Sequence, residues 1–148
     1  MSEETRKYFL ISNEAFETTS MNEEQPRVLV VDDDVNIRDL FGKILKKAGY
    51  TVETSETGKE ALEKIRTENP KVLLLDVILP DMSGTELLLR TAGNHETVKI
   101  IVTGFSTEEV GKRAADFGAD DYLVKPVQPE ELLSTIHNRL ATVEQGKP

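Results

Sequence analysis

The sequence predicts an α/β domain built on a parallel sheet. Short runs of valine, isoleucine and leucine recur along the chain, and most are followed by apolar residues spaced at threes and fours. That alternation marks βα units whose central strands are buried on both faces. The places where the runs stop are equally informative. Val28-Leu29-Val30-Val31 leads into Asp32 and Asp33, Val72-Leu73-Leu74-Leu75 into Asp76, Ile100-Ile101-Val102 into Thr103, and Tyr122-Leu123-Val124 into Lys125. In an open α/β sheet the functional crevice lies outside the carboxyl ends of the strands, so these polar residues converge there.

Residues 1–26 stand apart as an acidic extension or linker. They carry Glu3, Glu4, Glu14, Glu17, Glu23 and Glu24, an apolar patch at Tyr8-Phe9-Leu10-Ile11, and Pro26. The regular pattern spans 27–141, and 142–148 form a short tail. A first strand is predicted over 28–32. The helix after it has Ile37, Leu40, Phe41, Ile44, Leu45 and Ala48 on one face, Asp34 as N-cap and Gly49 as the residue just past its end. The second strand, 51–54, is short and half polar, which suits an edge. The second helix, 59–68, turns Ala61, Leu62 and Ile65 inward and stops at Asn69-Pro70. The third strand, 72–76, is apolar enough to be central. A loop with Pro80 and Gly84 precedes a short helix holding Leu87, Leu88 and Leu89. The fourth strand covers 99–103. Its helix opens with Ser106/Thr107 and presents Val110, Ala114 and Phe117. The fifth strand covers 121–124, and the last helix starts near Pro129 with Leu132, Leu133, Ile136 and Leu140.

Bulk properties narrow the function classes. A chain of 148 residues suits one domain with a full core. A net charge of -9 argues against general nucleic-acid binding, which needs a basic face. The absence of cysteine excludes disulfides and thiolate metal sites. No apolar stretch approaches the roughly 18–20 residues that span a bilayer, and Met1-Ser2-Glu3-Glu4 is no signal-peptide start. The expectation is a cytoplasmic protein with no membrane and no direct nucleic-acid partner.

The strand-end residues suggest specific chemistry. With the first and third strands adjacent, Asp32, Asp33 and Asp76 lie within a few ångströms of one another. Like charges about 4 Å apart repel by about 4 kcal/mol at a protein-like dielectric. A bound cation or a shared proton must offset that. Oxygen-only ligands favour Mg²⁺, with Mn²⁺ as the alternative. Capping of the first helix accounts for Asp32–Asp34 taken alone; Asp76 is what argues for more. Asp76 suits the role of nucleophile, since a carboxylate can form an aspartyl phosphate. The cation, the Lys125 ammonium and the Thr103 hydroxyl would cover the phosphoryl charge, with backbone amides at Val77 and Gly104 as further donors. Gly104 has no side chain to block the approach. In isolation, Lys125 reads as a solvated lysine and Thr103 as a strand threonine. The Lys125-Pro126 bond is a candidate for the cis form, which would aim the ammonium into the crevice.

Together these residues resemble a known family. Val30-Val31-Asp32-Asp33-Asp34, the run from Leu75-Asp76-Val77 through Pro80-Asp81-Met82-Ser83-Gly84, Val102-Thr103-Gly104 and Tyr122-Leu123-Val124-Lys125-Pro126 look like the signature of response-regulator receiver domains. The resemblance covers about 27–141. It implies a doubly wound, five-stranded parallel sheet of order 2-1-3-4-5, the flavodoxin-like receiver fold. It implies a phosphoacceptor rather than an enzyme, with phosphotransfer to Asp76 from a histidine kinase or histidine phosphotransfer protein. Mg²⁺ would be held by Asp33, Asp76 and the backbone carbonyl of Ile78, with Asp32 acting through water. Thr103 and Lys125 would sense the phosphoryl group, and Tyr122 would be the aromatic switch. The output face would be the fourth helix, fifth strand and fifth helix, meeting a downstream protein or a second copy. Two positions depart from the usual polar pattern: Ile78 and Phe105 are apolar. Flanking the line of water attack, they suggest a long-lived phosphoprotein.

Other classes fit less well. A haloacid-dehalogenase-type phosphatase needs a carboxylate two residues past its nucleophile, where this chain has Ile78. A Rossmann module needs glycines after the first strand, where this chain has Asp32-Asp33-Asp34-Val35-Asn36. A phosphohistidine carrier would have to use His95, in a predicted loop, or His137, in the last helix. Two outputs remain open: a stand-alone receiver, or a receiver fragment of a longer transcriptional regulator or hybrid kinase.

Overall fold

A computed structural model describes residues 25–104 and 108–144. Strands and helices alternate: β1 (Arg27–Val31), α1 (Val35–Lys47), β2 (Thr51–Ser55), α2 (Gly58–Glu68), β3 (Val72–Leu75), α3 (Gly84–Arg90), β4 (Val98–Thr103), α4 (Glu108–Asp116), β5 (Asp121–Val124) and α5 (Pro129–Glu144). The strands form one parallel sheet in the order β2-β1-β3-β4-β5. The chain winds outward from β1 to β2, then crosses back to β3 on the other side. That reversal opens a crevice between the carboxyl ends of β1 and β3.

Strand periodicity divides the core in two. Val28, Val30, Val72, Leu74, Ile100 and Val102 face α1 and α5, where Phe41, Leu45, Leu132 and Ile136 meet them. Their alternates Leu29, Val31, Leu73, Leu75 and Ile101 face α2, α3 and α4, against Ala61, Ile65, Leu87, Leu88 and Ala114. Both faces of the central strands are covered, which is why β1, β3 and β4 carry uninterrupted apolar runs. Half-polar β2 lies at the sheet edge, as its composition predicts. Among the described residues no helix is long and apolar enough to cross a membrane.

Local signals act as expected at several helix ends. The Asp34 carboxylate accepts the Asn36 amide at 2.8 Å and caps α1. Gly49 takes φ +101° just past it, a conformation that side chains disfavour. Asn69 ends α2 in the left-handed region at φ 46°.

Some expectations change. The strands predicted over 28–32 and 72–76 end one residue earlier, at Val31 and Leu75. Asp32 and Asp76 sit just beyond, where each carboxylate accepts the amide two residues on and bends the chain out of the sheet. Leu40 is 49 % exposed rather than inward, and Ala48 is exposed as well. The apolar stripe of α1 is narrower than its 3.6-residue spacing suggested: Phe41 and Leu45 are buried, Ile37 and Ile44 partly so, and Leu40 and Ala48 face outward. α5 runs to Glu144, through the first residues of the predicted tail. Residues 1–24 of the predicted extension, Phe105, the predicted helix start at Ser106/Thr107 and the tail from 145 lie outside the described residues.

Candidate functional site

The sheet register brings the acidic residues together. Val31 and Leu75 are paired across β1 and β3, so the residues that follow them leave the sheet side by side. Carboxylate oxygens of Asp32, Asp33 and Asp76 lie within 4.8 Å of one another. Asp32 is buried, Asp76 half-buried and Asp33 exposed, so the cluster has a sealed floor and an open rim. Lys125 enters from the end of β5. Its Nζ donates to Asp32 Oδ2 at 2.7 Å and to Asp76 Oδ2 at 3.0 Å. The Lys125-Pro126 peptide bond is cis.

Asp32 and Asp76 each engage both carboxylate oxygens. Asp32 Oδ1 accepts the Asp34 amide at 2.9 Å, and Asp76 Oδ1 accepts the Ile78 amide at 3.2 Å. The capping and cluster readings of Asp32–Asp34 both hold: Asp34 caps α1, while Asp32 and Asp33 join Asp76. Burial pushes the Asp76 carboxyl above its ordinary range; the Ile78 amide and Lys125 pull it down, the Asp32 charge pushes it up, and the balance is upward. Burial alone would lower the Lys125 ammonium, but its bonds to Asp32 and Asp76 outweigh that and raise it. Lys125 therefore stays charged at neutral pH.

One ammonium against three carboxylates leaves the cluster negative. An all-oxygen donor set with an open side fits a small hard divalent cation, which keeps several of its own waters. Asp32, Asp33 and Asp76 are the side chains that would hold it. Ile78 stands at the rim, 55 % exposed, with its amide on Asp76.

Thr103 closes β4 between the two halves of the site and is fully buried. Ile101 and Tyr122 are register partners, and both belong to the core layer beneath α2–α4. Strand alternation puts Thr103, two residues after Ile101, on the same face as half-buried Tyr122. Val77 and Gly104 directly follow Asp76 and Thr103, so both sit at the carboxyl edge of the sheet. A Cβ on Gly104 would meet no protein atom within 4 Å, so the space beside it is open. The glycine that the packing of the site requires is Gly84. A Cβ on it would lie 2.5 Å from the Asp76 carbonyl oxygen, and its amide donates to the Val77 carbonyl at 2.7 Å.

Two polar residues near the site escaped the sequence reading. Arg38 Nη1 donates to the Asp32 carbonyl at 2.8 Å and ties α1 to the end of β1. Asp81 accepts the amides of Gly58 and Lys59 at 2.8 and 2.9 Å, across more than twenty positions of sequence. Arg38 follows the Asp34 cap by one turn, a weak local signal; Asp81 has none, since its partners are set by packing. His95 lies exposed in the turn before β4, and His137 lies exposed on α5.

Comparison with known proteins places this arrangement. A model of the response regulator receiver domain matches residues 28–137. The chain belongs to the response-regulator receiver family. Response regulator MprA of Mycobacterium tuberculosis is 39 % identical over 124 residues, which are 82 % of this chain and 52 % of that protein. MprA of Mycobacterium ulcerans is 42 % identical over 110 residues, 73 % of this chain and 47 % of that protein. The chain thus spans about half the length of these curated relatives. Among solved structures, a CheY-like receiver domain protein from Methanospirillum hungatei is 41 % identical with a TM-score of 0.78, covering 82 % of this chain and 98 % of that one. Chemotaxis protein CheY4 of Vibrio cholerae is 35 % identical with a TM-score of 0.73, covering 78 % and 98 % respectively. The sheet order of this receiver domain is the one its motifs imply, and its role lies in two-component signalling.

Proposed function

We propose that the chain is a phosphoacceptor, phosphorylated on Asp76 by a histidine kinase or a histidine phosphotransfer protein. The supporting observation is the Lys125 ammonium shared between Asp32 and Asp76. It lies where a phosphoryl group on Asp76 would need a positive charge. In the reaction an Asp76 carboxylate oxygen attacks phosphorus, an O–P bond forms, and the bond to the donor breaks. The leaving group departs with the electron pair. Mg²⁺, or Mn²⁺ in its place, would neutralise charge on the phosphoryl oxygens, held by Asp33, Asp76 and the Ile78 carbonyl directly and by Asp32 through water. The Lys125 ammonium, the Thr103 hydroxyl and the amides of Val77 and Gly104 cover the remaining charge. Turnover is limited to self-phosphorylation from small donors and self-hydrolysis.

The switch follows from Thr103 and Tyr122 sharing a sheet face. When Thr103 turns toward the phosphoryl oxygens it vacates space behind β4, and Tyr122 rotates inward. That alters the surface of α4, β5 and α5, which meets a downstream protein or a second copy. Such a shift needs a differential stabilisation of only a few kcal/mol. The net charge of -9 favours a protein partner over nucleic acid and, with no membrane-spanning helix among the described residues, a cytoplasmic setting. A second reading, the receiver portion of a longer regulator, is favoured by the half-length match to the MprA proteins.

The test is incubation with Mg²⁺ and acetyl phosphate. The expected result is one base-labile phosphoryl group, absent from Asp76→Asn and blocked by chelator. Labelling that survives in Asp76→Asn overturns the assignment. NMR shift changes confined to the pocket on phosphorylation overturn the switch.

A further inference from the structure

The loop from Asp76 to Ser83 carries both the phosphoacceptor and the rim residue Ile78. It is closed at its root, where Ile78 bridges to Ser83 and the Gly84 amide meets the Val77 carbonyl. Leu79, 7 % exposed, plants its middle in the core below α2–α4. Its tip is fastened to a different element. Asp81 Oδ1 accepts the Gly58 amide at 2.8 Å, and Oδ2 accepts the Lys59 amide at 2.9 Å. The next residue, Met82, lies over Gly58 so closely that a Cβ there would be 2.4 Å from Met82 Cγ.

These contacts complete the amino end of α2. A helix leaves its first four amides without intrahelical partners. In α2, Thr57 Oγ1 accepts the Glu60 amide at 3.1 Å and the Thr57 carbonyl accepts that of Ala61 at 3.1 Å. The first two amides have no acceptor within the helix, and Asp81 takes both. The two amides hold the Asp81 carboxyl below its ordinary range although it is exposed. A monodentate cap would let the loop pivot; a carboxylate using both oxygens on successive amides fixes its direction.

We propose that Asp81 is a positioning residue for the phosphoacceptor site, clamping the loop tip to the amino end of α2 so that the Ile78 backbone stays beside Asp76. The inference rests on the phosphoacceptor reading of Asp76. Its consequence is that Asp81 sets cation affinity without touching cation or phosphoryl group. Groups that orient ligands from behind commonly change metal affinity by tenfold or more.

The experiment compares the full chain with Asp81→Ala and Asp81→Asn. The readouts are exchange of the Gly58 and Lys59 amides, the Mg²⁺ dissociation constant, and the acetyl phosphate labelling rate at saturating Mg²⁺. In Asp81→Ala both amides should lose protection and the Mg²⁺ dissociation constant should rise about tenfold. Labelling at saturating Mg²⁺ should stay within about twofold of wild type, since the reacting groups are untouched. Asp81→Asn keeps one strong acceptor and should fall between; being nearly isosteric, it also serves if Asp81→Ala melts too low to measure. Deprotected amides with unchanged Mg²⁺ affinity would reduce Asp81 to a helix cap and overturn the proposal. Wild-type protein that binds no Mg²⁺ and takes no phosphoryl group would instead overturn the underlying reading, before any variant is compared.

Discussion

Lys125 Nζ and Asp76 Oδ2 lie 3.0 Å apart although 49 positions separate them in the chain. The same ammonium reaches Asp32 at 2.7 Å. It is the positive charge that the described structure places against this carboxylate pair. Lys125→Met should therefore leave two largely buried carboxylates in mutual repulsion. Breaking a buried pair costs about 3–5 kcal/mol, and this one is partly solvated, so a loss nearer 1–3 kcal/mol is expected at pH 7 without divalent cation. Mg²⁺ should restore part of it. Urea denaturation with and without Mg²⁺ measures both; equal midpoints for wild type and variant would mean that Lys125 carries no structural load.

Asp76 gives stability a distinctive pH dependence. Its folded pKa is raised above the ordinary carboxylate value of 3.8, chiefly by burial. The folded state thus holds this proton more tightly than the unfolded chain. The Asp76 contribution to stability is full below 3.8 and declines as pH rises through the window up to the raised value. At pH 7 ionised Asp76 is a net cost, and Asp76→Asn removes it. Without divalent cation the variant should melt at a higher temperature than wild type at pH 7. The gain should vanish as pH falls through the window. A gain independent of pH would point to packing rather than charge.

Ser55 offers a stability test through a side chain that the phosphoacceptor chemistry does not use, although its carbonyl accepts the Asp32 amide at 3.0 Å. Its Oγ is buried at the end of β2 and has no hydrogen-bond partner among the described residues. A buried hydroxyl without a partner costs about 1–3 kcal/mol. Ser55→Ala should raise the urea midpoint, with phosphoryl uptake unchanged. A lowered midpoint would reveal a partner for the hydroxyl in solution.

Ile78 bears on the lifetime of the phosphoryl group. Its side chain stands exposed at the rim, two residues past Asp76. It cannot hold a water in line with the O–P bond, whereas an amide there could. Ile78→Asn should speed loss of the phosphoryl group roughly threefold or more, since positioning alone changes rates by such factors. Decay followed at saturating Mg²⁺ checks this; identical half-lives would mean that water reaches phosphorus by another route.

The sequence by itself determined the α/β class, the helices and strands in order, and the polar residues that end the central strands. Those are local properties: apolar period, caps at Asp34 and Gly49, and the abrupt stop of each buried run at Asp32, Asp76, Thr103 and Lys125. The motif resemblance added the strand order. Tertiary structure alone decided what no period encodes. Leu40 turned outward because neighbours, not helical spacing, set how wide the buried stripe of α1 is. Gly84 proved to be a glycine that the packing of the site requires, since clearance depends on which backbone passes overhead. Arg38 and Asp81 acquired their roles from partners brought close by packing. A sequence shows what each segment prefers, but a hydrogen bond across twenty or more positions exists only once the core has fixed the distance between its ends.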